Sequence, residues 1–171
     1  MLNTLSARTL VTGAAIAAAT LCVATPAFAA TVGSTLNTNA TVTANCTVST
    51  SPLAFGNVDS TSASDVDATG GLSITCTNGS GWVASAGVGG GSGASFANRK
   101  MTSGANLLNY NIYTSAARAT VWGDGTGATG TIGGTGSGSA QAVTVYGRVS
   151  GGQNSVPIGS YADVVAVTVT Y

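Results

Sequence analysis

Few residues in this chain could do chemistry on a substrate. It has no histidine and no glutamate, and its acids are five aspartates: Asp59, Asp65, Asp67, Asp124 and Asp163. Serine and threonine hydroxyls are plentiful, but a hydroxyl is a weak nucleophile until a base takes its proton, and no histidine is present to act as that base. Asp65 and Asp67 stand two apart in a Ser/Thr-rich stretch. A calcium cage needs six to eight oxygens and more than two carboxylates, so ordinary loop polarity is the expectation there. The thiols are Cys22, Cys46 and Cys76, too few for a zinc site without imidazole. No catalytic, cofactor-binding or metal-binding residue is expected, and the chain reads as something other than an enzyme.

The chemistry that remains is a bond between two sulfurs, and the N-terminus says where it would form. Arg8 precedes an uncharged, alanine-rich apolar run over residues 10–23, followed by Pro26 and the small-residue site Ala27-Phe28-Ala29. That is the pattern of a signal peptide over residues 1–29, cleaved between Ala29 and Ala30. The run is short for a hydrocarbon core of about 30 Å, and no second apolar stretch follows, so no membrane span is expected after processing. Cys22 would leave with the signal. Cys46 and Cys76, in an oxidising compartment, then read as one disulfide.

Arg99, Lys100, Arg118 and Arg148 oppose the five aspartates in the processed chain, scattered along it. Without a basic patch there is nothing to neutralise phosphates, which argues against nucleic acid as a partner and against attraction to anionic lipid. The 25 glycines could signal disorder, but a mean hydropathy of +0.36 does not fit a chain too polar to fold. Val/Thr/Ala/Tyr-rich strands joined by Gly/Ser/Thr/Asn-rich turns fit better.

Period-two alternation carries the fold reading. Over residues 31–45, Val32, Ser34, Leu36, Thr38, Ala40, Val42 and Ala44 share one face, while the other face has no apolar side chain. The segment is long for one strand and suggests two functional pieces. Further strands are expected over 72–77, 82–86, 107–113, 142–149 and 162–171, with turns over 57–71 and 87–93 and a mobile loop over 123–138. The last strand alternates Val165, Val167, Val169 and Tyr171 with Val164, Ala166, Thr168 and Thr170, and by composition it looks central or nearly so. Trp82, Trp122, Tyr110, Tyr113 and Tyr146 are expected to pack in the core or across strands and not to form a sugar platform. Arg99 and Arg148 are expected to pair with Asp163 or with backbone carbonyls.

From about Thr41 to Tyr171 a set of short elements recurs in a recognisable order. Cys46-Thr47-Val48, Leu53-Ala54-Phe55-Gly56 and the run from Gly71 to Gly79 come first. Arg99-Lys100-Met101, Leu108-Asn109-Tyr110-Asn111-Ile112-Tyr113 and Trp122-Gly123 follow, then Val145-Tyr146-Gly147-Arg148-Val149 and Gly159-Ser160-Tyr161-Ala162-Asp163-Val164-Val165. In this order the chain resembles the spore coat protein U domain family, which includes subunits of archaic, Csu-type chaperone–usher pili. Val164, where the family often has Thr or Ser, and the glycine-rich stretch over 123–138 are departures.

The resemblance implies an all-β fold: a single incomplete immunoglobulin-like β-sandwich, completed by donor-strand exchange between subunits. Residues 30–40 would be the donor segment, presenting Val32, Ser34, Leu36 and Thr38, and residues 41–171 the pilin domain. Val165, Val167 and Val169 would line the acceptor groove. The partners implied are other pilus subunits in a homo-polymer, a periplasmic chaperone and an outer-membrane usher, and the destination is the cell surface, in adhesion and biofilm formation. The alternative is a monomeric secreted or coat-associated binding module whose N-terminal strand completes its own sandwich.

A disulfide closing the Cys46–Cys76 loop is worth on the order of 3–4 kcal/mol in the chain-entropy model. Thiol labelling of the purified, unreduced protein is expected to find no free cysteine, and stoichiometric labelling of both residues would refute the bond.

Overall fold

The computed structural model describes residues 26–171; the apolar run over residues 10–23 lies outside the described residues. The chain divides into two units between Asn39 and Ala40. In the first, residues 26–39 have no regular secondary structure, and Val32 and Leu36 are 98% and 88% exposed. The alternating segment is therefore not a strand of either sheet. A lone strand has no partner for its backbone groups and gains nothing from the pattern by itself.

The second unit is all β among the described residues. Its strands are β1 (Cys46–Ser51), β2 (Val66–Cys76), β3 (Gly81–Ala86), β4 (Arg99–Ser103), β5 (Asn106–Tyr113), β6 (Val121–Trp122), β7 (Thr129–Gly130), β8 (Ile132–Thr135), β9 (Gln141–Val149) and β10 (Val167–Thr170). The larger sheet runs β1-β2-β9-β5-β6-β7, with β4 also paired to β5, and the smaller runs β10-β3-β8. Every pairing is antiparallel except β6 with β7. Neither sheet closes on itself.

Alternation explains the core. Leu72, Ile74 and Cys76 of β2, Leu108, Tyr110 and Ile112 of β5, and Val145 and Val149 of β9 are buried at alternate positions, and most residues between them are more exposed, Asn111 being a buried exception. From the smaller sheet Trp82, Ala84 and Ala86 of β3 join the same cluster, with Trp122 of β6. Each large side chain so covered contributes roughly 1.5–3 kcal/mol. The alanines of β3 let the smaller sheet lie close to the bulky β5 and Trp122.

Cys46 and Cys76 are bonded, directly opposite each other where β1 pairs with β2. Thr77 N donates to Asn45 O, which makes 45 and 77 a hydrogen-bonded pair. Cys46 and Cys76 are then a non-hydrogen-bonded pair, the closer of the two antiparallel types. Their Cα atoms are 4.1 Å apart.

Several expectations need correction. β2 begins at Val66, inside the stretch read as turn over 57–71, because Val66 to Ile74 pair continuously with β9 despite Gly70 and Gly71. Arg99–Ser103 is a strand that carries no clean alternation. The last strand is shorter than 162–171 and lies at an edge, bonded to β3 alone among the described residues. The stretch over 123–138 is not one mobile loop: it holds β7 and β8, Gly123 and Gly136 are buried, and Ile132 packs against the core. Its glycines allow close approach. A Cβ on Gly134 would lie 2.5 Å from the Trp82 ring.

Tolerance to insertion should therefore divide within that stretch. A short polar tag between Gly127 and Ala128, both exposed, is expected to leave secreted yield and the thermal midpoint near those of the parent. The same tag between Gly133 and Gly134, paired with Val83 and Trp82, is expected to abolish secreted product. Equal yields from the two would mean that β8 adds nothing to the fold.

Candidate functional site

A groove with a cavity volume of about 1020 Å³ opens between the sheets. Its floor is core: Leu72, Leu108, Tyr110, Ile112, Trp122 and Val145. One wall is the end of β1 and the segment after it, with Leu53 and Phe55; the other is the chain leading into β10, with Asp163, Val165 and Val167. Phe55 meets the Tyr110 ring edge-on, centroids 6.1 Å apart. Gly147 makes room for this wall, since a Cβ there would lie under 3 Å from Leu53 and Phe55.

Both strands beside the groove are sheet edges, and hydrogen-bond phase tells which of their groups face it. Gly87 N donates to Ala166 O at 2.8 Å, so even-numbered residues of the last strand bond toward β3. The N–H and C=O groups of Val165, Val167 and Val169 point the other way. These odd residues also turn their side chains inward, half-buried in strict alternation with exposed neighbours. On β1 the odd residues bond β2, leaving the backbone of Cys46, Val48 and Thr50 at the outer edge. Val48 shares the face of Ile74, which is fully buried, yet is itself 40% exposed. An apolar side chain on the core face with this exposure marks where the core stays open.

The second wall is held in place by polar contacts. Ala162 and Thr102 exchange two backbone hydrogen bonds, 2.8 and 3.1 Å. Asp163 Oδ1 accepts from Gly90 N at 2.7 Å and from Val164 N at 2.8 Å, and Oδ2 accepts the Tyr110 hydroxyl at 2.7 Å. Burial and then this bond to Asp163 push the Tyr110 phenol well above its ordinary range. Gly89 has φ +88°, and a Cβ there would collide with the Asp163 carboxylate, so the turn beneath the wall requires glycine.

Arg99 is fully buried and works as a clamp between strands. Its Nε and Nη2 donate to Gly87 O, Nη2 also to Trp122 O, and Nη1 to Asn111 Oδ1. Burial lowers its affinity for the proton, and nearby Tyr110 and Asp163 oppose that. Arg148 pairs with Asp67 and Asp65 on the outer face, and Arg118 reaches Asp67 and lies over the Tyr146 ring. The expected partners of Arg99 thus include backbone carbonyls. Arg148 pairs with the acids Asp65 and Asp67 and not with Asp163. Those two carboxylates are held by guanidinium, as the lowered proton affinity of Asp67, due first to Arg148, reflects.

Of the residues singled out in the sequence, Val165 and Val167 line the groove, while Val169 packs against the core beyond the lining. Val32, Ser34, Leu36 and Thr38 are all exposed, as are Ala29 and Ala30. Trp82, Trp122 and Tyr110 are buried and form no platform. Leu53, Phe55 and Asp163 were not anticipated as groove residues. Asp163 had a signal, because it stands in the phase of the three valines, two residues before Val165.

The family model for the Spore Coat Protein U domain matches residues 32–168. "Protein U" of Myxococcus xanthus is 37% identical over 173 aligned positions, covering 92% of this chain and 95% of that protein. Among solved structures, the CsuC–CsuE chaperone–tip adhesion subunit pre-assembly complex from archaic chaperone-usher Csu pili of Acinetobacter baumannii matches with a TM-score of 0.49 and 19% identity over 77% of this chain. The chain spans 40% of the length of the chain it matches there. With the family model running over most of its length and a relative aligned nearly end to end, the chain belongs to the spore coat protein U domain family.

Proposed function

We propose that the chain is a structural subunit of a surface pilus, assembled head-to-tail by insertion of residues 30–40 of one copy into the groove of the next. The observation that carries this is a pairing of opposites within one sequence. Two sheet edges with outward-facing backbone groups flank an apolar groove, and an N-terminal segment carries its large apolar side chains, Val32 and Leu36, exposed on one face, with no charge along it. A strand laid in the groove satisfies both edges and covers both sets of side chains. Burying Val32 and Leu36 contributes roughly 1.5–3 kcal/mol each, and each new backbone hydrogen bond about 0.5–1.5 kcal/mol.

Donor and acceptor are different surfaces, so the contact is heterologous, and without closure it propagates as a filament. An open apolar groove also templates wrong pairings. Export through the periplasm then calls for a chaperone that covers it, and delivery to the surface for an outer-membrane usher. A fibre so placed would serve adhesion and biofilm formation. Cys46–Cys76 and the groove residues have structural roles on this reading, and the protein is not an enzyme.

A coat-associated monomer, in which the N-terminal segment completes its own sandwich, is the second reading, favoured by the name of the matched family. Multimers that resist SDS without boiling separate the two. The decisive variant is Leu36→Asp, which places a carboxylate in the groove at a cost of several kcal/mol. It is expected to give an exported, disulfide-bonded monomer and no fibre, whereas Asn37→Asp, on the polar face, has a much smaller effect. Normal fibres in electron micrographs of cells making only the Leu36→Asp protein would overturn the pilus reading.

A further inference from the structure

Strand insertion by itself leaves the register open, and the groove carries one feature able to fix it. Asp163 is the only ionisable carboxylate among the groove's lining residues. It sits in line with Val165, Val167 and Val169, half-buried on the same inward face. Three donors already reach it: two at Oδ1 and the Tyr110 hydroxyl at Oδ2. A carboxylate offers about four acceptor directions, so Oδ2 keeps one for a further donor. The chain from Asp163 into β10 thus presents a carboxylate followed by three valines at alternate positions.

The N-terminal segment presents its own series on its apolar face: Val32, Ser34, Leu36, Thr38. Hydrophobic and hydroxyl side chains alternate there, so the pattern repeats every four residues. A slip of one residue turns the polar face inward. A slip of two sets Leu36 or Ala40 against the carboxylate and hydroxyls against Val165. In antiparallel pairing, only Thr38 or Ser34 brings a hydroxyl to Asp163, and only the Thr38 alignment lets residues 32–38 cover all three valines.

We infer that Asp163 sets the register of assembly by accepting the Thr38 hydroxyl of the next copy, which seats Leu36 against Val165, Ser34 against Val167 and Val32 against Val169. This rests on the pilus reading and adds a specificity-determining residue to it. The contact gives the Thr38 hydroxyl an acceptor as it leaves water, whereas in the alignments slipped by two residues a carboxylate would be covered by an aliphatic side chain.

Phase also supplies a test that leaves the groove side chains untouched. Because Val165 and Val167 point their backbone groups at the incoming strand, Ala166 falls at a non-hydrogen-bonded position, the geometry in which Cys46 and Cys76 are bonded. The inferred register puts Thr35 directly opposite Ala166. Full-length chains carrying Ala166→Cys with Thr35→Cys, Gly33→Cys or Asn37→Cys would be expressed with their assembly machinery, and the fibres run on non-reducing gels. The Thr35 pair is expected to give a covalent ladder at least tenfold stronger than the other two. Thr38→Val, exposed in the free chain, is expected to cut that ladder severalfold and raise the Gly33 or Asn37 products, while Thr38→Ser restores it. A dominant link at Gly33 or Asn37, or normal fibres without any link, overturns the register. A Thr38→Val ladder equal to the parent's overturns the role of Asp163. Absence of fibres from the unsubstituted chain refutes the pilus reading, and the register falls with it.

Discussion

A β-strand at the edge of a sheet carries a row of N–H and C=O groups that only another strand can satisfy as a set. In this protein two such rows, on β1 and β10, belong to different sheets and flank the same groove. Most features of the unit follow from that constraint. The side chains that turn inward along the two edges, Val48 on one and Val165 and Val167 on the other, are apolar because they face the core, and part-exposed because the core is open between them. Edges of this kind invite aggregation, and natural proteins usually blunt them with lysine, proline or a bulge. Here β1 and β10 contain no charged residue at all, which is understandable if pairing along these edges is the purpose of the molecule.

An open groove must still have firm walls, and the polar interior supplies them. Arg99 ties β4 to the carbonyls of Gly87 and Trp122 and to Asn111 of β5. Trp122 Nε1 donates to Ala84 O, linking β6 of the larger sheet to β3 of the smaller. Removing one member of such a set would leave buried donors or acceptors unmatched, at about 1–3 kcal/mol each. At the far side the disulfide holds β1 to β2 at the point where β1 begins. The last strand is attached along only four residues of β3, and it is here that the Ala162 bridge and the three donors on Asp163 act.

The sequence made the strands with clean alternation legible: β3, β5 and β9 lie within a residue of where the pattern puts them. The disulfide was also legible, because two cysteines behind an export signal leave few other options. Where glycine interrupts, the pattern failed. Gly70 and Gly71 sit inside β2, and Gly133 and Gly134 inside β8, yet glycine ordinarily weakens a strand and marks a turn. The reason lies in tertiary contact: a Cβ on Gly70 would meet Leu53, and one on Gly134 would meet Trp82. Close approach of a distant segment is invisible to a local pattern. The groove was half legible. Its valines follow from alternation, but the wall made by Leu53 and Phe55 depends on how an irregular segment folds over Gly147.

The same reasoning accounts for the unusual composition. Only nine charged side chains occur beyond residue 29, and most are committed. Arg99 is the buried clamp, Asp163 the anchor of the groove wall, and Asp65, Asp67, Arg118 and Arg148 neutralise one another on the outer face of β2 and β9. That leaves Asp59 and Asp124, whose carboxylates accept from nearby threonines, and Lys100, which reaches Ser92 O. A surface so poor in free charge has little long-range repulsion between copies. For a protein that had to remain apart from its neighbours in solution this would be a hazard. For one that stacks on copies of itself, as proposed above, it removes an obstacle, and under the inferred register recognition then falls to the groove and its single carboxylate.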